Sequence, residues 1–366
     1  NGAPDATFGE NGVVTYSPVH SLSQVSAMVV DDIGHIYVAG QGYSSFLLGE
    51  DFVLLCFTGG GDINAGFGTN GEVVTDFGLQ SSDALTDLSL LGNGNLLAAG
   101  SAALVFQQYG PTHAAFAEYT PSGGYEPTFG AGGILTVGEV VPSYGFYFDL
   151  LLRPHGNDVL CGMTVSPYFG AKMLGVLKAG PTGLPDTGFG TDGVAVEARP
   201  TDRDTNSMRD LRFSQDSGFT VLGDDGWQSF AAQYSEAGVN LPAFGDQGIA
   251  VVDVFPQETY PWDSSEKAVW LNASETGTLL IAAQTGLGGY WGLVRLDTNG
   301  ALDTSFGTEG RCVFEWRETE GLMRSRLESV VMLPDGSLIL AGGVAGYNAA
   351  WPAEVDATLV RLVPDN

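Results

Sequence analysis

Leu302-Asp303-Thr304-Ser305-Phe306-Gly307-Thr308-Glu309-Gly310 (LDTSFGTEG) decides the fold, because its F-G-x-x-G core is written six times along the chain. The copies run from Phe8 to Gly12, Phe67 to Gly71, Phe129 to Gly133, Phe189 to Gly193, Phe244 to Gly248 and Phe306 to Gly310. Successive phenylalanines stand 59, 62, 60, 55 and 62 residues apart. A second marker keeps the same period: a turn glycine between two short apolar runs, at Gly34, Gly94, Gly156, Gly218, Gly277 and Gly336. Two independent markers in phase define a repeating supersecondary unit of about 60 residues.

Each unit reads as four strands. In the second, Leu85 to Leu90 is an apolar run, Gly92-Asn93-Gly94 turns the chain, and Asn95 to Gly100 returns it as a hairpin. His113 to Tyr119 alternates with period two, and the F-G-x-x-G corner then leads into Ile134 to Val137. No run carries a 3.6-residue period, so the chain is expected to be all-β. Four short antiparallel strands repeated six times make a six-bladed β-propeller. Asn1 to Gly9 matches Asn299 to Gly307, whereas the last unit stops after Leu362 and the few residues beyond it. The N-terminal strand is therefore expected to complete the last blade and close the ring, giving one domain over residues 1–366.

The combination of Leu302–Gly310 (LDTSFGTEG) with Leu333–Gly343 (LPDGSLILAGG) and Leu293–Gly300 (LVRLDTNG) resembles the bacterial delta-60 repeat over essentially the whole chain. The resemblance implies a β-propeller class of exported proteins, frequent in bacteria that use type IX secretion.

Composition removes several functional classes. The 366 residues hold 43 Asp and Glu against 14 Lys and Arg, a net charge of −29, and no base precedes Arg153. Binding to phosphate backbones or anionic lipid needs clustered bases, so no nucleic-acid partner is expected. With 44% hydrophobic and 16% charged residues the chain is folded rather than disordered. The 53 glycines belong to many turns between short strands. No apolar run approaches the ~18 residues of a membrane helix. A chain that begins at Asn1 rather than Met reads as processed, which points to export to the periplasm, cell surface or medium. Cys56, Cys161 and Cys312 are odd in number and far apart inside apolar runs, so they read as buried free thiols.

The six equivalent corners are packing devices, since a phosphate cradle would need a helix N-terminus after the glycines. His20, His35, His113 and His155 form no pair at metal-ligand spacing. Asp202-Arg203-Asp204-Thr205-Asn206 alternates oxygen ligands but lacks the glycine and terminal glutamate of a calcium loop. Asp87, Asp149, Asp210 and Glu328 fall near the starts of first strands and read as hydrated channel carboxylates. No catalytic residue, metal site or cofactor is expected.

Function is expected on the variable loops opposite the tight turns and corners, because binding residues ride on loops held by a rigid scaffold. These loops carry Tyr260 and Trp262, Tyr347 and Trp351, Trp316, Trp227, Tyr168 and Phe169, and Phe106 and Tyr109. Exposed Trp and Tyr with few charges suit a protein interface and also stack on sugar rings. The chain is therefore expected to be a non-enzymatic interaction module of a bacterial envelope or secretion complex, with a secreted glycan-binding or glycan-degrading propeller as the alternative.

Overall fold

The computed structural model describes residues 5–45, 49–78, 82–103, 112–137, 144–155, 158–167, 172–197, 207–213, 218–256, 266–273, 278–285, 289–318, 321–322, 324–345 and 355–363. Every strand or helix assigned among them is a strand. Among the described residues no helix is long and apolar enough to cross a membrane. The chain divides into two compact units, Asn1–Gly170 with Gly175–Val196 and Ala171–Leu174 with Glu197–Asn366.

The first unit carries three four-stranded antiparallel sheets: Ser21–Val30, Ile36–Ser45, Gly49–Phe57 and Glu72–Thr75 (β1–β4); Asp83–Leu90, Leu96–Ala103, Thr112–Tyr119 and Ile134–Val137 (β5–β8); and Tyr144–His155, Asp158–Pro167, Met173–Ala179 and Val194–Glu197 (β9–β12). The second carries two more, Ser207–Phe213, Phe219–Asp224, Ser229–Tyr234 and Ile249–Val252 (β13–β16), then Glu266–Ala273, Leu279–Thr285, Tyr290–Leu296 and Arg311–Glu315 (β17–β20). A small ladder, Arg317–Glu318 with Gly321–Leu322 (β21 and β22), precedes a three-stranded sheet of Arg324–Met332, Leu338–Ala345 and Val355–Leu362 (β23–β25). Every strand lies beside its sequence neighbour, as hairpin connections require.

The strands read as continuous apolar runs because both faces of a sheet are covered. On β3, Phe52, Leu54 and Cys56 face the core shared with the second sheet, whereas Val53, Leu55 and Phe57 pack with Val14, Leu22 and Ile36. The first strand carries a bulge at the same place in five sheets, after Val25, Leu85, Met208, Ala268 and Leu327. The residue before each bulge faces the end of the second-strand motif, Gly40, Gly100, Gly223, Ala283 and Gly342. A Cβ on Gly40, Gly100 or Gly342 would stand 2.0 Å from a carbonyl oxygen of the facing first strand, which explains the glycine at these three positions.

The F-G-x-x-G corner is a backbone device. Its first glycine takes φ near +55° in every copy, from +52° at Gly130 to +58° at Gly245. A Cβ there has a steric penalty and would also strike a carbonyl oxygen: at Gly68 it meets Glu72 O at 2.3 Å. The same glycine ties sheets together. Gly9 N donates to Gly60 O, Gly68 N to Ser122 O and Gly130 N to Thr182 O, each at 2.8 Å, and in the second unit Gly245 N donates to Asn299 O at 2.7 Å. Thus each of these four corners grips the turn after a third strand, and Phe67, Phe129 and Phe244 are buried at their corners. Corners and tight turns therefore share one end of the sheets, as the loop sorting expected.

Candidate functional site

Of the ten aromatic residues expected at a binding face, Trp227 and Trp316 fall within the described residues. Phe106, Tyr109, Tyr168, Phe169, Tyr260, Trp262, Tyr347 and Trp351 lie outside them, as does Asp202–Asn206.

Trp227 is 43% exposed at the tip of the short connection between β14 and β15. The turn beneath it is firmly built. Asp225 Oδ1 accepts hydrogen bonds from Trp227 N and Gln228 N, both at 2.9 Å, and Asp225 N donates to Gln228 O at 3.1 Å. Gly226 takes φ +81° and donates to Asp224 Oδ1. Asp224 is itself buried and paired with Arg209, and Ala268 N donates to its other oxygen. Burial pushes the Asp224 carboxyl above the usual carboxylate range, against the pull of the Arg209 guanidinium. The indole is thus presented from a preorganised turn.

Trp316 is half-buried. Its ring packs edge-on against the buried Trp291, 4.9 Å between centroids, and its backbone N–H donates to Gly289 O. It belongs to the packing of the fifth and last sheets.

The carboxylates read as channel residues are engaged with their own surroundings. Asp87 Oδ2 accepts from Leu152 N at 2.8 Å and stands 3.6 Å from Arg153; Asp210 accepts from Leu211 N and Arg212; Glu328 pairs with Arg326. The Asp149 side chain lies outside the described residues. The histidines described are separate: His20 is held by Glu72 at 2.6 Å, and His35 by Asp31 at 3.1 Å. Cys56 and Cys161 are buried free thiols, and Cys312 is half-buried. Burial raises the pKa of all three.

Two groupings were not legible in the sequence. Asp51, Asp76 and Asp83 bring carboxylate oxygens within 4.8 Å of one another, a hard-oxygen donor set of the kind a divalent cation takes. Asp83 also accepts from Phe77 N at 3.0 Å. The outer two of the three positions are 32 residues apart in sequence, and all three meet only because β3, the end of β4 and the start of β5 meet. The second grouping is a cavity of about 160 Å³ in the first unit, walled by the second and third sheets. Leu97, Phe116, Phe129, Leu135 and Leu177 give it an apolar lining, and Glu118 and Asp158 add carboxylates. Glu118 is only 3% exposed; its Oε1 accepts from Asn95 Nδ2 at 2.7 Å, and burial raises its pKa.

Residues 276–306 match the profile of a family described as "Domain of unknown function (DUF5122) beta-propeller". A search of the curated proteins returned no match. Solved structures with similar folds include a protein from Lactobacillus plantarum, 11% identical, with 94% of this chain and 86% of that chain covered at a TM-score of 0.48. An α-L-arabinofuranosidase of Fusarium graminearum in complex with arabinobiose is 11% identical, with 94% and 98% covered and a TM-score of 0.45. An α-L-arabinanase of Penicillium chrysogenum complexed with arabinobiose is 14% identical, with 93% and 94% covered and a TM-score of 0.45. None of these likenesses bears on chemistry.

Proposed function

We propose that the protein is a non-enzymatic binding module that engages another protein through the loop ends opposite the corners, with Trp227 as an anchor. One observation carries the reading: a large indole stands exposed on a turn whose backbone donors are held by buried Asp224 and Asp225. An aromatic anchor on a rigid support loses little entropy on binding, which is how hot-spot residues contribute affinity. The same reading takes the chain as one six-bladed propeller over residues 1–366, closed by its N-terminal strand. It also places the protein outside the bacterial cytoplasm, as a delta-60 repeat protein associated with an envelope or type IX secretion complex.

A glycan is the alternative ligand, since an exposed indole beside carboxylates also suits a sugar ring. The test is a crosslinked pull-down from the native envelope with the tagged protein, run beside Trp227→Ala and a Trp262→Ala/Trp351→Ala double variant. A stoichiometric protein lost in W227A supports the reading. Retention of that protein by W227A removes Trp227 from the interface. Binding to a glycan array, with no protein recovered, replaces the partner class.

A further inference from the structure

The cavity between the second and third sheets has a cause in the repeat. At the corner end of five sheets the second and third strands are closed by a cross-strand pair: Ile36 with Phe57, Leu96 with Tyr119, Phe219 with Tyr234, Leu279 with Leu296, and Leu338 with Leu362. All ten are large aliphatic or aromatic side chains. The corresponding positions of the third sheet, set by the turn glycines Gly156 and Gly183, hold Asp158 and Ala179. Both line the cavity. On the opposing second sheet, Leu97 stands where the first sheet has Tyr37, three residues after the turn glycine in each case. Two substitutions by smaller or polar side chains, Asp158 and Ala179, thus fall on one space, opposite Leu97.

The walls are apolar and the charge is of one sign. Phe116, Phe129, Leu135 and Leu177 enclose the space, with Leu91 and Pro181 at the turn end. Glu118 lies on the wall, buried, with the Asn95 amide on one of its oxygens. Glu126 is close enough to Glu118 to raise its pKa further. Asp158 is neutralised by Lys178 at 3.2 Å, but Lys178 also serves Asp186 at 3.1 Å. The carboxylates facing this end of the slot therefore outnumber the ammonium. Small-molecule sites combine an apolar enclosure with one or two placed polar groups, and the placed group here is an anion in a low-dielectric wall.

We propose that this cavity binds a small cationic amine built on a single apolar ring, with the ring between Phe116, Phe129 and Leu177 and the ammonium on Glu118. A ring of that size fits the space, and its charge completes a carboxylate whose side-chain partners among the described residues are the amides of Asn95 and Asn93. The site lies at the corner end of the sheets and is independent of the loop-end reading above.

The test uses benzylamine as probe, with benzyl alcohol and benzoate beside it, titrated against the full-length protein by calorimetry and ligand-observed NMR. Benzylamine is expected to bind at one site, at least fivefold more tightly than benzyl alcohol, with benzoate not binding. Ala179→Leu, which restores the side chain other repeats carry, is expected to abolish binding of both neutral and cationic probes. Glu118→Gln is expected to weaken benzylamine at least tenfold and leave benzyl alcohol within twofold. Asp158→Leu is a second filling variant should A179L fail to fold. Absence of benzylamine binding to the parent protein, or binding unchanged in the folded filling variants, overturns the proposal. Equal affinity of E118Q for benzylamine removes the ammonium from Glu118 and overturns the assigned ligand class.

Discussion

Between the first and second sheets, Tyr37 and Phe67 meet Leu96 and Tyr119; between the second and third, the same positions hold Leu97, Phe129, Asp158 and Ala179. The first slot is packed with aromatic rings. Tyr37 packs edge-on against Phe67 at 5.5 Å, and the Tyr119 hydroxyl reaches Thr75 Oγ1 at 2.7 Å while its ring stacks on Tyr125. The second slot keeps the corner, the turn and the inter-sheet hydrogen bond, yet leaves a cavity. The difference teaches that the backbone repeat holds the sheets at a set spacing, so a lost side chain is not repaired by collapse. Protein interiors do not flow into such spaces, and what lines them becomes available to a ligand.

The largest effect should come from the backbone that both slots share. Gly68→Ala and Gly130→Ala each place a Cβ at positive φ and 2.3 Å from a carbonyl oxygen. Each should lose more than about 3 kcal/mol or fail to fold, measured by urea denaturation. A much milder effect of G130A would mean that the second slot is looser in backbone as well as in side chains.

Next comes an attempt to turn the packed slot into the empty one. Tyr119→Ala removes a buried aromatic ring and leaves Thr75 with one fewer partner, and should cost about 3–5 kcal/mol. The reverse change, Ala179→Leu, should raise stability by about 1 kcal/mol, as cavity-filling substitutions do. A destabilising A179L would show that the third sheet has no room at that position and would end the comparison.

The buried carboxylate in the second slot adds a pH dependence of its own. Burial raises the Glu118 pKa in the folded state, so the native protein binds its proton more tightly than the unfolded chain. Stability should therefore fall as pH rises through the window between the ordinary glutamate pKa and the raised one. E118Q should be more stable than the parent above that window and show no advantage below it, as read from melting temperatures across pH. The smallest effect on stability belongs to Trp227→Ala, within about 0.5 kcal/mol for an exposed residue, although it should abolish partner capture.

Much of the fold was readable without coordinates because the repeat is carried by glycines and phenylalanines whose roles are local. The strand from Ile134 to Val137 ends where the period places it, and the corner glycines take the left-handed backbone that forbids other residues. The terminal glycines of the second strands were visible as a pattern, but their reason, a bulge in the facing strand, appears only when two strands are paired. Among the aromatic loop residues, sequence alone did not separate Trp227, exposed on its turn, from Trp316, packed on Trp291. Both are tryptophans near the end of a strand, and which way an indole turns depends on the sheet beside it.

Composition and period by themselves determined the all-β class, the repeat of about 60 residues and the absence of clustered bases, since these depend on residue type and spacing along the chain. The tertiary structure alone decided where chemistry gathers. Asp51, Asp76 and Asp83 meet across three chain segments, and the cavity at Glu118 exists because Leu97, Asp158 and Ala179 face one another across two sheets. No linear motif records such a meeting, because packing between sheets joins residues by their facing surfaces and not by their order in the chain.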